Sequence, residues 1–214
     1  MTNTVPTGFG LCDTSIIKML DELAAKDIHI KEAVKQVGYP AARYSPAGFA
    51  PLMRIIVGQQ LSVKAAASIA ARVDALVVKP NDPHAFSRQS DEDLRGCGLS
   101  FQKIKYGRAL CEAVLDGSLR PNHMPDMSDE EILSSITAIK GFGRWSAEMY
   151  MMFSLGRVNI WPSGDLAVRA GIGTIIGNSE RPNEKETDVI GERWHPYRSV
   201  VALLSWHYYS NPPL

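Results

Sequence analysis

Cys12, Cys97 and Cys111 are the only three cysteines in the 214 residues. No two form a CxxC pair, and none sits beside a histidine-rich stretch. That spacing excludes a zinc ribbon or an iron–sulfur cluster and reads as isolated thiols in a reducing cytoplasm. Net charge is also missing, since 23 lysines and arginines balance 23 aspartates and glutamates. No long-range field therefore draws the chain to a polyanion, and any grip on nucleic acid has to be local. No stretch approaches the length of a bilayer span, and Met1-Thr-Asn-Thr-Val-Pro lacks the basic region and apolar run of a secretion signal. The expectation is an intracellular, cytoplasmic protein with no membrane partner. Period-2 runs between hairpin turns, low-complexity tracts and repeats of fixed period are absent too, which argues against sheets and solenoids.

Apolar residues, 45% of the chain, recur instead at helical spacing nearly throughout, so the expected fold class is all-α. The pattern predicts helices from about Thr14 to Ala25, Ile28 to Val37, Ala47 to Gln59, Ser62 to Leu76, Asp91 to Cys97, Phe101 to Leu115, Asp129 to Ala138, Arg144 to Leu155, Leu166 to Ile176, Glu184 to Trp194 and Pro196 to Tyr209. Gly38-Tyr-Pro40 and Asp116-Gly117 are stop signals, and Ser128-Asp-Glu-Glu131 is a capping box. Residues 118–127, with Pro121 and Pro125, form the clearest linker. The expected organisation is one compact unit of two helical lobes with a cleft between them, 47–117 forming one lobe and 1–46 with 118–214 the other. Gly171-Ile-Gly173 and Gly177 resemble a dinucleotide loop only superficially, because no strand precedes them and close helix packing accounts for them better.

The segment Ile136-Thr-Ala-Ile-Lys-Gly141-Phe-Gly143-Arg-Trp145-Ser-Ala-Glu148 places two glycines where one helix stops and another starts. Gly141 can take a positive φ as a helix C-cap, while Gly143 permits close backbone approach at the next helix N-terminus. Unpaired amides and the positive dipole end favour an anion there, with Arg144 beside it, and a DNA phosphate fits. A tight turn serving geometry alone is the competing interpretation. Local charge favours the anion: Lys140, Arg144, Arg157 and Arg169 face only Glu148 and Asp165, and Lys103 to Arg108 is basic as well.

Downstream, Trp161-Pro-Ser-Gly-Asp165-Leu isolates one carboxylate. A helix from Arg144 spans about 18 Å and the following loop up to roughly 27 Å, so the chain can double back toward the hairpin. Asp165 is a natural N-cap, a role worth about 1 kcal/mol. The stiff, partly apolar approach through Trp161 and Pro162 also suits a carboxylate acting on developing positive charge.

These two motifs, with the upstream Ile55-Ile-Val-Gly-Gln-Gln-Leu-Ser62, resemble the helix-hairpin-helix DNA glycosylases, and within them the 3-methyladenine DNA glycosylase II (AlkA-like) family. The resemblance covers roughly residues 45 to 209. It implies that Asp165 is catalytic, stabilising oxocarbenium character as an N-glycosidic bond breaks, and that amides at Gly141, Gly143 and Ser146 hold a phosphate. It implies no required cofactor, with room for a monovalent cation on carbonyls at Thr137 and Ile139. Strand-cutting members place a lysine where this chain has Trp145, so simple hydrolysis to an abasic site is expected. Gln60 is the candidate wedge filling the gap left by a flipped base, although ordinary helix-closing glutamines explain Gln59 and Gln60 equally well. Trp145, Met149, Trp206, His207 and Tyr208 are the candidate base pocket. Met149, His207 and Lys140 depart from the family pattern, and His195 and His207 are as readily packing residues. With little room before Ala47 for the β domain of larger members, only the helical lobes are expected.

The resemblance thus implies a monofunctional glycosylase releasing alkylated purines such as 3-methyladenine and 7-methylguanine from duplex DNA, acting as a monomer wherever chromosomal DNA lies, nucleoid or nucleus. Two alternatives remain at this level: a non-catalytic hairpin module that binds DNA, and a uracil or thymine mismatch glycosylase.

Overall fold

A computed structural model describes residues 4–211. Among them every regular element is helical. The order is α1 (Asp13–Ala24), α2 (Ile28–Val37), α3 (Phe49–Gly58), α4 (Val63–Val77), α5 (Pro83–Ser87), α6 (Asp91–Gly96), α7 (Phe101–Leu115), α8 (Asp129–Thr137), α9 (Arg144–Phe153), α10 (Leu166–Ile175), α11 (Glu184–Gly191) and α12 (Arg198–Ser210). None of these helices is long and apolar enough to cross a membrane.

Most boundaries follow from local chemistry. The Ser128 hydroxyl accepts from the Glu131 amide while the Glu131 carboxylate accepts from the Ser128 amide, so the expected capping box starts α8. Asp27, Ser62, Ser90 and Ser100 likewise accept from amides in the first turns of α2, α4, α6 and α7. Two elements depart from the sequence pattern. The short α5 was not expected; Asp82 caps it and Pro83 opens it, and five residues are too few to show periodicity. The predicted linker is not plain loop either, because Pro121–Asp126 winds into a 3₁₀ turn.

The chain divides into two compact units: Met1–Tyr44 with Met151–Leu214, and Ser45–Tyr150. This corrects the expected boundary at 118–127. The division falls within α9, and residues 118–150 belong with the helices before them. The reason is visible in the second unit. Gly141 lies directly against the Tyr106 ring of α7, Gln59 Nε2 donates to the Gly141 carbonyl at 2.9 Å, and the Leu119 amide returns to Ala113. There α7 also packs on α3, α5 and α6.

In the first unit α12 is the central element. Every residue from Ser199 to Trp206 is buried, as expected of a helix enclosed by neighbours, and α1, α2 and α10 all pack on it. The α10 contact is backbone to backbone, since a Cβ on Gly171 would collide with the Ser205 carbonyl. Close packing, as expected, explains that glycine.

Candidate active site and nucleic-acid interface

The hairpin occupies the turn between α8 and α9. Gly141 has φ +97°, a left-handed conformation that favours glycine, and a Cβ there would enter the Tyr106 ring. The turn is tied down by Phe142 N–H to the Ile139 carbonyl at 3.1 Å and by the Gln59 side chain on Gly141. Phe142 and Ile136 are buried beneath it. Gly143 is different. It is exposed, and a Cβ on it would meet nothing within 4 Å. Among the described residues nothing requires glycine at that position.

Two expected phosphate contacts are engaged within the chain. The Ser146 amide donates to the Gly143 carbonyl at 3.0 Å, and the residue is 3% exposed. Arg144 Nε bonds the buried Glu148 carboxylate at 2.7 Å, one turn along the same helix.

Asp165 is built from its loop upward, entirely within the first unit. The loop is anchored first to α12. Ser199 Oγ donates to the Arg157 carbonyl and accepts from the Ile160 amide, both at 2.8 Å, and the Ser199 amide donates to the Val158 carbonyl. Trp161 is buried and its indole N–H donates to the Thr187 carbonyl at 2.8 Å. A tight turn follows, closed by the Asp165 amide on the Pro162 carbonyl at 2.9 Å. Within it the Ser163 hydroxyl is fully buried with no hydrogen-bond partner.

Asp165 then caps α10, its Oδ1 accepting from the amides of Ala167 at 2.9 Å and Val168 at 3.0 Å. The Trp206 indole adds a third donor to the same oxygen at 3.0 Å. The half-exposed carboxylate is thus fixed in rotation by groups from two helices, with the helix dipole at its back. Phe153 tilts against Trp206 with ring centroids 5.8 Å apart.

The other expected pocket residues diverge. Trp206 faces Asp165, but Tyr208 lies 200° further around α12 and donates to the Gln36 side chain at 2.6 Å. His207 Nε2 contacts the Val37 carbonyl at 2.8 Å and Nδ1 approaches Asn211 at 3.4 Å. Both residues therefore contact the end of α2, whereas Trp206 meets the carboxylate. In the second unit Trp145 is 37% exposed and Met149, one turn along α9, is buried. Gln60 is exposed with φ +56°, in the turn between α3 and α4. Such a conformation in a non-glycine residue is strained by about 1–3 kcal/mol. Lys103 Nζ supports that turn by binding the Val57 carbonyl at 2.7 Å, and burial lowers its pKa. No cluster of His, Cys, Asp and Glu suited to a metal ion occurs among the described residues.

Residues 53–196 match the family described as HhH-GPD superfamily base excision DNA repair protein. The chain belongs to this family. DNA-3-methyladenine glycosylase 1 of Schizosaccharomyces pombe is 30% identical over 199 residues, covering 90% of this chain and 87% of its own length. The structure of the Schizosaccharomyces pombe 3-methyladenine DNA glycosylase in complex with abasic DNA superposes with a TM-score of 0.85 at 28% identity, over 91% of this chain and 98% of that one. A DNA-3-methyladenine glycosidase structure from Bacillus halodurans gives 0.79 at 36% identity, over 93% and 91% of the two chains.

Within this HhH-GPD chain, sequence reasoning missed Gln59 as the brace of the hairpin, Tyr106 as its floor, and Arg43. The Arg43 guanidinium stands 5.6 Å from the Trp206 ring centroid and 5.9 Å from that of Phe153. No motif marks Arg43, which lies far from both rings in the chain.

Proposed function

We propose that this HhH-GPD protein is a monofunctional DNA glycosylase that hydrolyses the N-glycosidic bond of alkylated purines in duplex DNA. The observation that carries the proposal is the clamp on Asp165, three donors converging on Oδ1 from α10 and α12. A helix cap needs only the two amides. The indole adds rotational control that capping does not call for, and a carboxylate acting on a sugar cation benefits from such preorganisation.

In the reaction the bond from C1′ to the purine nitrogen breaks and its electron pair departs on the base. Asp165 stabilises the positive charge left on the deoxyribose, a water oxygen adds to C1′, and that water gives up one proton to bulk solvent. A base alkylated at N3 or N7 is already cationic and leaves neutral, so modest help suffices. The similarity to glycosylases named for 3-methyladenine supports that substrate class. At the hairpin, the open face of Gly143 suits a DNA phosphate at the N-terminus of α9. Trp145 stands at the position of the Schiff-base lysine in strand-cutting members, so the product is an intact abasic strand. The protein works on chromosomal DNA, in nucleoid or nucleus, as a monomer and without a required cofactor. Carbonyls of Thr137 and Ile139 at the end of α8 suit a monovalent cation; Ile139 accepts from Phe142 and keeps a second lone pair.

The test is base release, followed by chromatography, from alkylated, uracil-containing and mismatched duplexes. Wild type is expected to release 3-methyladenine and 7-methylguanine. Asp165→Asn is expected to release neither while still binding a duplex with an abasic-site analogue. Wild-type release rates in the Asn variant would overturn the catalytic assignment.

A further inference from the structure

The basic block from Lys103 to Arg108 has no role in the proposed reaction, and the fold divides it. Lys103 turns inward to the Val57 carbonyl at 2.7 Å. Arg108 bonds the carbonyls of Ser87 and Gln89 and pairs with Asp91. Lys105 stays exposed, its side chain in no ion pair or hydrogen bond among the described residues. One turn before it on α7 stands Phe101, 67% exposed. The Arg95 guanidinium covers that ring at 4.5 Å, and its Nη1 donates to the Leu99 carbonyl at 3.2 Å. Stacking uses a face of the guanidinium and leaves its remaining N–H groups pointing outward in the plane. No carboxylate pairs with Arg95 among the described residues. Of the three acids that open α6, Asp91 binds Arg108 and Asp93 accepts from the Ser90 hydroxyl, which leaves Glu92 as the open counter-charge to two cations.

The place of this pair in the second unit says what could meet it. On α7, Tyr106 supports Gly141 of the hairpin, Lys103 meets the end of α3 just before the exposed turn at Gln60, and Phe101 opens the helix. These contacts follow in that order along one axis, and the step from Tyr106 to Phe101 is about 7.5 Å. The hairpin and the stacked arginine are thus set apart by a span comparable with the width of a minor groove, about 6 Å. The loop ahead of α7 is fixed as well, since Arg72 Nε donates to the Cys97 carbonyl at 2.9 Å. A planar cation held on a ring, with a lysine one turn away, is suited to phosphate oxygens. We propose that Arg95, held on Phe101, and Lys105 form a second DNA-backbone site, which takes phosphates of the strand across the groove from the one seated on the hairpin. This inference rests on the glycosylase reading above and adds to it a grip on the second strand.

The probe is a duplex carrying an abasic-site analogue, titrated by fluorescence anisotropy at about 50 and about 200 mM salt. Wild type is compared with Arg95→Gln, Lys105→Gln and Phe101→Ala, and with Lys79→Gln, an exposed lysine just past the end of α4, as the charge control. Unfolding midpoints are measured alongside. Arg95→Gln and Lys105→Gln are each expected to flatten the slope of log affinity against log salt by about 0.9, the share of one phosphate. Their deficit is then roughly 3.5-fold larger at the lower salt than at the higher. Phe101→Ala should flatten the slope too, although it removes no charge, because Arg95 loses the ring that holds it. Lys79→Gln should not. Methylphosphonates then neutralise single phosphates, one strand at a time. Wild type should lose affinity at a position across the groove, where Arg95→Gln should be indifferent while still losing affinity at the hairpin phosphate. Wild-type slopes in both Arg95→Gln and Lys105→Gln would overturn the inference. So would an equal drop in Lys79→Gln, or interference confined to the hairpin strand, whereas failure of wild type to bind the abasic duplex would sink the glycosylase reading itself.

Discussion

Trp206 Nε1 and Asp165 Oδ1 lie 3.0 Å apart, on an oxygen that two helix amides already occupy. The same unit contains a near twin. Asp27 caps α2 through the His29 and Ile30 amides and accepts from the Trp194 indole at 2.9 Å, but there the indole takes the other oxygen, with Arg193 at 3.5 Å. At Asp165 the indole and the amides share one.

Trp206→Phe keeps an aromatic ring and removes only the donor. A hydrogen bond to a charged group is worth about 1.5–3 kcal/mol, so base release is expected to fall roughly tenfold or more, with affinity for an abasic-analogue duplex little changed. Single-turnover rates and a binding titration measure the two effects separately. Equal losses in both would assign Trp206 to packing alone.

The two hairpin glycines should respond oppositely to alanine. Gly141→Ala places a methyl in the Tyr106 ring at a positive φ, and a loss of stability of about 2 kcal/mol or more is expected in denaturant unfolding. Gly143→Ala meets open space, so its unfolding midpoint should hold. Its affinity for DNA should drop, because the methyl stands where a phosphate would approach.

Gln60→Gly relieves the left-handed strain at φ +56°, while a looser unfolded chain offsets part of the gain. Stability is expected to stay within about 1 kcal/mol of wild type or rise. Base release from duplex should nevertheless slow if this side chain fills the gap in the stack. Unchanged release would leave Gln60 as a turn residue only.

The thiols should separate by pH. Hydrogen bonds from Ser15 and Thr14 lower the Cys12 pKa from 9.0 to about 7, whereas burial raises that of Cys111 to about 12. Only the thiolate reacts. Alkylation of the native protein by iodoacetamide should therefore begin at Cys12, rise through pH 7 and level off above it, with Cys111 inert until unfolding. Peptide mass mapping across pH checks the order.

Features encoded by neighbouring residues were legible in sequence: the capping box at Ser128 and Glu131, the positive-φ turn at Gly141, and Asp165 as a helix cap. Contacts between distant residues were not. Trp206 is 41 positions from Asp165, and no pattern announces that its N–H reaches that carboxylate. The contacts of His207 and Tyr208 with the end of α2 follow a simpler rule. Adjacent helical positions point about 100° apart, so only one of the three consecutive residues could face Asp165. The boundary between units was hidden because prolines mark a linker, while the ring of Tyr106 and the amide of Gln59 decide which helices the hairpin joins.

Gly171 lies two turns down the helix that Asp165 begins, with its backbone set directly on Ser205 of the helix that carries Trp206. The alignment of the carboxylate and its indole partner is therefore a matter of interhelical spacing. Any larger residue at that seam would act as a shim, tilting α10 and moving an oxygen it never touches. Variants chosen for activity are expected to keep this position bare, even when thermal stability could be restored elsewhere.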